Sequence, residues 1–387
     1  MKWPNEVQVT LPDQGRTTGN APQLSAKAGH LVMECYEDEV PQFVDAEIAR
    51  RYGSLFSTIP HFRQTGKLTA TTSTYITRKN GNVETVLLFN RSEKQVMVLN
   101  ELIPISKTEA GEFIAFVFAR YGLVSNIVFN AITSDLRGLR YPYQQFLCAE
   151  DIVIGPLTNV DEYSASLSKN YRKSVRRCTN ALLRSHPGYR FAILPPEAVS
   201  EDLVRQIIGF NKARMAEKEK MSAYTDEECD WIVALASKLG VVSVITIDGK
   251  VCAGTVCCQV GHGFHMLVSA HHPDYNQFGM GMLCCYRSIC EYIERGGTQV
   301  HLLWGRHAYK TSLGATSRQF DRFAVYRSRV DYWRDADKLA PAAAAGYLRE
   351  ARLWLMNAEG QDNFKGRIVT TMWRVLRQIK QRVVAIK

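Results

Sequence analysis

Long apolar runs are missing from this chain of 387 residues. No segment reaches the roughly 18 to 20 consecutive apolar residues that a membrane-spanning helix needs. The first stretch, "MKWPNEVQVTLPDQGRTTGNAPQLSAKAG", has no apolar h-region, so a Sec signal is not expected. Its Pro, Gly, Thr and Gln read instead as a loosely attached extension. Among ten cysteines there is no Cys-x-x-Cys. Cys257/Cys258 and Cys284/Cys285 are adjacent pairs inside apolar runs, and neighbours on a strand or helix point their sulfurs apart, so neither pair chelates one ion alone. Reduced, buried thiols in a cytoplasmic protein are the expectation. Acids are missing from two stretches: Phe364 to Lys387 carries seven Lys or Arg and no Asp or Glu, and "SKNYRKSVRR" spans Ser168 to Arg177. Such runs can meet a phosphate-bearing ligand, an acidic protein, anionic lipid or nucleic acid.

What is present describes a globular protein. Hydrophobic residues make up 46% and charged residues 22%, with a net charge of +10, and the length suffices for two ordinary domains. Four regions emerge: residues 1–35 as an extended segment, 36–155 and 156–335 as two α/β domains, and 336–387 as a helical basic tail. The first domain reads as strands ("TVLLFNR", "KQVMVLNEL"), a helix ("TEAGEFIAFVFARYG") and a further strand ("SNIVFNAI"). "VIGPLTNVDEY" supplies a Gly-Pro break and an Asn or Asp helix cap at the boundary.

In the second domain, Tyr163, Leu167, Tyr171, Val175 and Leu182 recur at helical spacing along a basic amphipathic helix. Further helices are predicted over about 200–219 and from Thr225 to Leu239. "VVSVITIDGKVCAGTVCCQVGHGFHMLVSA" is cut by Asp248-Gly249 and Gly261-His262-Gly263 into a three-strand antiparallel meander. A helix on Met282, Leu283, Tyr286, Ile289, Cys290 and Ile293 then crosses to "TQVHLLWG", which is expected to run parallel to the third meander strand. A short helix within Arg306 to Leu313 and a closing strand, "RQFDRFAVYRS", follow.

Six of the nine histidines lie between His262 and His307, but they lack recognised zinc-ligand spacing, and no metal is expected. The turn Asn276-Gln277-Phe278-Gly279-Met280-Gly281 joins the third meander strand to its helix. Its glycines let a ligand approach the backbone, and the first orphan N–H groups of the helix and its dipole suit an anion such as a pyrophosphate. The same turn also serves as an ordinary strand-to-helix connection.

The meander, the Gly-x-Gly helix start and the parallel strand together resemble the core of the GNAT N-acyltransferase superfamily. That family's phosphate motif is Arg/Gln-x-x-Gly-x-Gly/Ala, which residues 276 to 281 match except for Asn276, with Gln277 as a substitute one place later. "LLWGRHAYKTSLGA" resembles the G…YK…(F/L)G signature of the CelD/BcsL and FemAB-like branch, and "SLSKNYRKSVRRCTNAL" resembles its LSxxxRKxxRR helix. The resemblance covers roughly residues 155 to 330. It implies tandem GNAT-like domains of α/β (α+β) class, with a mixed central sheet flanked by helices, a degenerate first domain and a better-formed second one. It further implies acyl transfer from a thioester to an amine of a small metabolite, sugar or peptide. The donor would be acyl-CoA or, second, the phosphopantetheine of an acidic acyl-carrier protein, with no metal.

By the same resemblance, strand residues Met266 to Ala270 meet the thioester, and Val268, Ser269, Asn276, Gln277, Phe278, Gly279, Met280, Gly281 and Met282 hold the donor. His272, Tyr275, Trp304 and Lys310 face the acceptor. Tyr309 is placed to protonate the departing sulfur, and His265 and His271 are candidates for the base, although each also fits a plain packing role. A branched side chain at Gly281 is expected to block the turn. Ile368, Met372, Val375, Leu376, Ile379 and Val383 give the tail an apolar face opposite its Arg and Lys, suited to the protein body or to peripheral contact with the inner membrane. Two rivals stand beside this reading: a FemAB-type transferase using aminoacyl-tRNA, for which the usual long coiled-coil insertion is not evident, and a non-catalytic GNAT fold acting in envelope stress or peptide resistance.

Overall fold

The computed structural model describes residues 8–9, 23–26, 31–222, 224–335, 340–341 and 343–351. Residues 352–387, and with them most of the basic tail, lie outside the described residues, as does most of residues 1–30.

Fifteen strands form one mixed sheet. In chain order they are β1 Gln8–Val9, β2 Gln23–Ala26, β3 Leu31–Tyr36, β4 Thr72–Lys79, β5 Asn82–Arg91, β6 Gln95–Val98, β7 Ile103–Pro104, β8 Asn126–Thr133, β9 Tyr143–Ile154, β10 Arg190–Leu194, β11 Gly240–Ile247, β12 Lys250–Val260, β13 Gly263–His271, β14 Gln299–His301 and β15 Thr316–Tyr326. The spatial order is 1-2-3-4-5-6-8-15-9-14-13-12-11-10, with β7 paired to β8. The two halves of the chain therefore share a sheet. The last strand, β15, pairs antiparallel with β8 on one side and β9 on the other, and β9 passes the sheet on to β14.

The predicted meander is β11–β12–β13, antiparallel throughout. The predicted parallel pairing joins β13 to β14. These strands read as nearly unbroken apolar runs because helices cover both faces. On one face α6 (Glu201–Ala216) and α7 (Asp226–Leu239) pack through Val204, Ile207, Ile232 and Leu235 against Val242, Val256 and Val268. On the other, α8 (Met280–Glu294) packs through Ile289 and Tyr292 against Cys257, Phe264 and Met266. The basic helix α5 (Lys169–Ser185) lies beside α8, burying Leu182.

Local signals start these helices. Ser168 caps α5, Ser200 caps α6, and Thr225 forms a capping box with Glu228 on α7. Asn159 is the cap expected at the boundary, starting α4 (Val160–Ser166) after the Gly155–Pro156 break.

The first half buries Tyr75, Phe89, Phe113 and Phe129 around the helix α3 (Lys107–Arg120). Sequence periodicity missed two short helices there, α1 (Val44–Tyr52) and α2 (Ile59–Gln64), and the long strand β9. The α1–α2 segment matters because it touches the second half. Phe56 stacks on Trp231 of α7, and the buried His61 of α2 packs edge-on against Phe56, Phe62 and Trp231.

Burial holds the His61 imidazole down at about 4, with Lys67 adding to the shift. Below pH 6.5 the unfolded chain accepts a proton that the folded protein refuses, so stability is lost as pH falls from about 6.5 to 4. The buried His265 and His271, both held below the usual histidine range chiefly by desolvation, act in the same sense. Urea unfolding at pH 7 and pH 5 should show the wild type losing about 1–2 kcal/mol more than His61→Phe. Equal losses in the two proteins would contradict this assignment.

Candidate functional site

β13 and β14 begin as neighbours and then part. Their parallel ladder covers only Gly263–His265 against Gln299–His301. Beyond it β13 continues to His271, while the chain after His301 turns away through Leu302, Leu303 and Trp304. Leu303 sits in the left-handed region with φ of +58°, a strained conformation for a branched side chain. The ammonium of Lys310, on the short helix α9 (Ala308–Ser312), holds this turn. It donates to the carbonyls of Leu302 and Trp304, each at 2.7 Å, and lies 3.5 Å from that of Leu303. Burial lowers the Lys310 pKa to about 8, opposed by the nearby Asp151 and Glu150.

β13 is itself irregular where the strands part. Val256 faces Val268 but Cys257 faces Met266, so Leu267 is an extra residue, a bulge in β13. The hydroxyl of Tyr224, just before α7, donates to the Leu267 carbonyl at 3.0 Å. Burial pushes the Tyr224 hydroxyl up to about 12, so it is a donor at any ordinary pH.

The parted strands open into a cavity of about 1100 Å³. The glycine turn forms one wall. Residues Pro273–Phe278 make a 3-10 segment, Gly279 adopts φ of +62°, and α8 starts at Met280 with no side chain capping it. A Cβ on Gly279 would lie 3.0 Å from the Cys178 sulfur, so both conformation and space select glycine there. The first α8 amides lack intrahelical acceptors, and the first turn carries no acid. Gly279, Gly281 and Met282 line the cavity together with Arg214, Lys218 and Lys220, which add cations to the helix dipole.

Asn276 has a local partner. Its Oδ1 lies 2.8 Å from Nε2 of His271, which as the donor leaves His271 Nδ1 an unpaired, buried acceptor. That nitrogen faces Gly281, where an added Cβ would lie only 2.8 Å away. A valine at Gly281 would therefore displace the His271 ring before it met any ligand. Gln277 is exposed and does not line the cavity, so it does not stand in for the Arg or Gln of the motif.

Of the residues singled out from sequence, Tyr309, His271, Ser269, Asn276, Gly279, Gly281, Met282, Trp304 and Lys310 line this one cavity. Others fall elsewhere. His265 is fully buried on the far side of the strand, donating to the Gly53 carbonyl at 2.9 Å and stacked on His301, whose Nδ1 meets Asp151 at 2.6 Å. Its alternation on the pleat turns it from the thioester position to the inter-half packing. Val268 and Met280 are core residues, Phe278 packs on His186, and His272 and Tyr275 lie against Phe210 and His186 outside the cavity.

Several lining residues escaped the sequence reading: Tyr171 of α5, Arg214 and Met215 of α6, Tyr224 and Glu228. Tyr171 lies at an unspecified position of the basic-helix motif and the others lie in no motif, so only the fold brings them to β13. Desolvation raises the hydroxyls of Tyr171 and Tyr309 above the usual tyrosine range, which keeps both protonated at neutral pH. Cys285 is buried with its sulfur 2.8 Å from the Ser269 hydroxyl, and burial raises its thiol, so it is a poor nucleophile. No cluster of metal ligands occurs among the described residues, and no helix among them is long and apolar enough to cross a membrane.

The family model for the acetyltransferase (GNAT) domain matches residues 169–311. No curated protein matches the chain. The crystal structure of FemX superposes with a TM-score of 0.57 at 11% identity, covering 76% of this chain and 98% of FemX. L-PGS from Bacillus licheniformis gives 0.45 at 13% identity, over 80% of this chain and 98% of that one. A tandem GNAT protein from the clavulanic acid biosynthesis pathway gives 0.35 at 11%, over 76% and 98%. At such identities the FemX likeness is one of fold, and the two lower scores are too weak to add to it.

Replacing Lys310 tests the turn that parts the strands. Lys310→Met leaves the buried Leu302 carbonyl unpaired, costing about 1–3 kcal/mol, and strips the half-buried Trp304 carbonyl of its donor. Thermal or urea unfolding should show a loss of that order. A wild-type melting curve would show that the turn does not depend on the ammonium.

Proposed function

We propose that this chain, which carries a GNAT domain on a FemX-like fold, is an N-acyltransferase that moves an acyl group from a thioester to an amine. The donor is acyl-CoA or the phosphopantetheine of an acyl-carrier protein, and the acceptor amine belongs to a small metabolite, sugar or peptide. The observation that carries the proposal is the parting of β13 and β14 beside an uncapped helix N-terminus. One slot then offers an anion site and, next to it, a bulged strand at Met266 and Leu267.

The chemistry needs little more. The donor's phosphates occupy the Met280–Met282 amides with Arg214 and Lys218, and its arm follows β13. The amine lone pair attacks the thioester carbonyl carbon, whose developing negative charge falls near backbone N–H groups of β13. As the C–N bond forms, the C–S bond breaks and its electron pair leaves with sulfur. Tyr309 gives that sulfur its proton and is reprotonated from solvent, while the extra proton of the new amide passes to water in the cavity. His271, paired to Asn276 and shielded by Gly281, orders the turn rather than acting as the base.

One observation favours a second donor. Lys169, Arg172, Lys173, Arg176, Arg177 and Arg184 are exposed on α5, which has no acid along its length and reaches the cavity through Tyr171. This face suits a polyanionic carrier, either an acidic acyl-carrier protein or an aminoacyl-tRNA. RNA binding that weakens steeply as salt rises would favour the latter.

Calorimetric titration of the full chain with acyl-CoAs and acyl-carrier protein is the direct test. Binding of at least one thioester is expected, and binding of none would refute the proposal. Tyr309→Phe should keep donor affinity and slow transfer by about 10²-fold or more. Turnover at the wild-type rate would remove Tyr309 from the acid role.

A further inference from the structure

We propose that the cavity receives a long-chain fatty acyl group, making the donor a long-chain acyl thioester rather than an acetyl one. This rests on the transferase reading above and specifies its substrate class.

The cavity's lining is the first ground. Four of the chain's ten methionines, Met215, Met221, Met266 and Met282, face this one space, joined by Leu303 and Trp304. Methionine is unbranched and soft, and a wall built from it can repack around a flexible chain of variable length. Polar recognition of a small acyl group would need the opposite, a few rigid donors close together.

Exposure is the second ground. Met221 is 95% exposed and Trp304 57% exposed. An apolar ligand at the mouth of the cavity would cover both side chains, which is favourable. The Trp304 ring rests on Phe56, 6.0 Å away, which itself stacks on Trp231.

The uncapped amides of α8 take the phosphate end, with Arg214 and Lys218, and Met266, Leu303 and Trp304 on the β13 and β14 side, with the exposed Met221, take the chain.

The test is a series of non-hydrolysable S-alkyl-CoA thioethers with two, eight, twelve and sixteen carbons, titrated calorimetrically into the full chain. Each buried methylene should tighten binding by roughly fourfold at most, from about 0.8 kcal/mol per CH₂. Even with partial burial, the twelve-carbon ligand should bind at least 100-fold tighter than the two-carbon one. Met221→Asp, at a side chain so exposed that folding should not depend on it, should cut that ratio by tenfold or more. If the two-carbon thioether binds and affinity is flat with chain length, this inference is overturned while the transferase reading stands. If no thioether of any length binds, carried on CoA or on acyl-carrier protein, both fall.

Discussion

A single buried cation governs the geometry of the site. The Lys310 ammonium draws the carbonyls of Leu302 and Trp304 around itself and keeps Leu303 in a left-handed turn, so the chain leaves β14 after only three residues of pairing with β13. Without that turn, β14 could continue beside β13 and the sheet would close. With it, the far half of β13 faces a cavity instead of a neighbour. The burial that lowers the Lys310 pKa is the cost of this arrangement, and the backbone carbonyls, Asp151 and Glu150 partly offset it.

Two further features gain meaning from the open edge. The bulge at Leu267, tied down by the Tyr224 hydroxyl, interrupts the regular pleat where a thioester would rest. The uncapped start of α8 faces the same space, and Arg214, Lys218 and Lys220 arrive there from α6 and the segment after it. Helix dipole and side-chain charge thus reinforce each other beside the turn.

The sequence made the second half readable because its signals are local. The meander follows from Asp248-Gly249 and Gly261-His262-Gly263, and the crossover to β14 follows from helical spacing after Gly281. The glycine turn, Tyr309 and Lys310 could be named because they lie in motifs. Tyr224 and Arg214 could not, and Tyr171 was legible only as part of a basic helix, since only long-range packing brings α5, α6 and α7 to β13. His265 shows the limit of placing a residue by strand alone. It lies on the right strand but, pointing to the other side, meets Gly53 and His301. The role of Lys310 was also hidden, because a lysine beside an expected phosphate site suggests a ligand contact, whereas its partners are backbone carbonyls of its own chain. Asn276 reads differently as well. Where the family motif has Arg or Gln, its side chain is the partner of His271.

A crystal structure of the full chain with a non-hydrolysable dodecyl-CoA thioether would test the central claim most directly. Phosphate density is expected against the amides of residues 280 to 282, the sulfur beside Met266 to Ser269, and the alkyl chain along Met266 and Leu303 toward Trp304. A ligand bound elsewhere, or β14 zipped against β13 with the cavity closed, would contradict it.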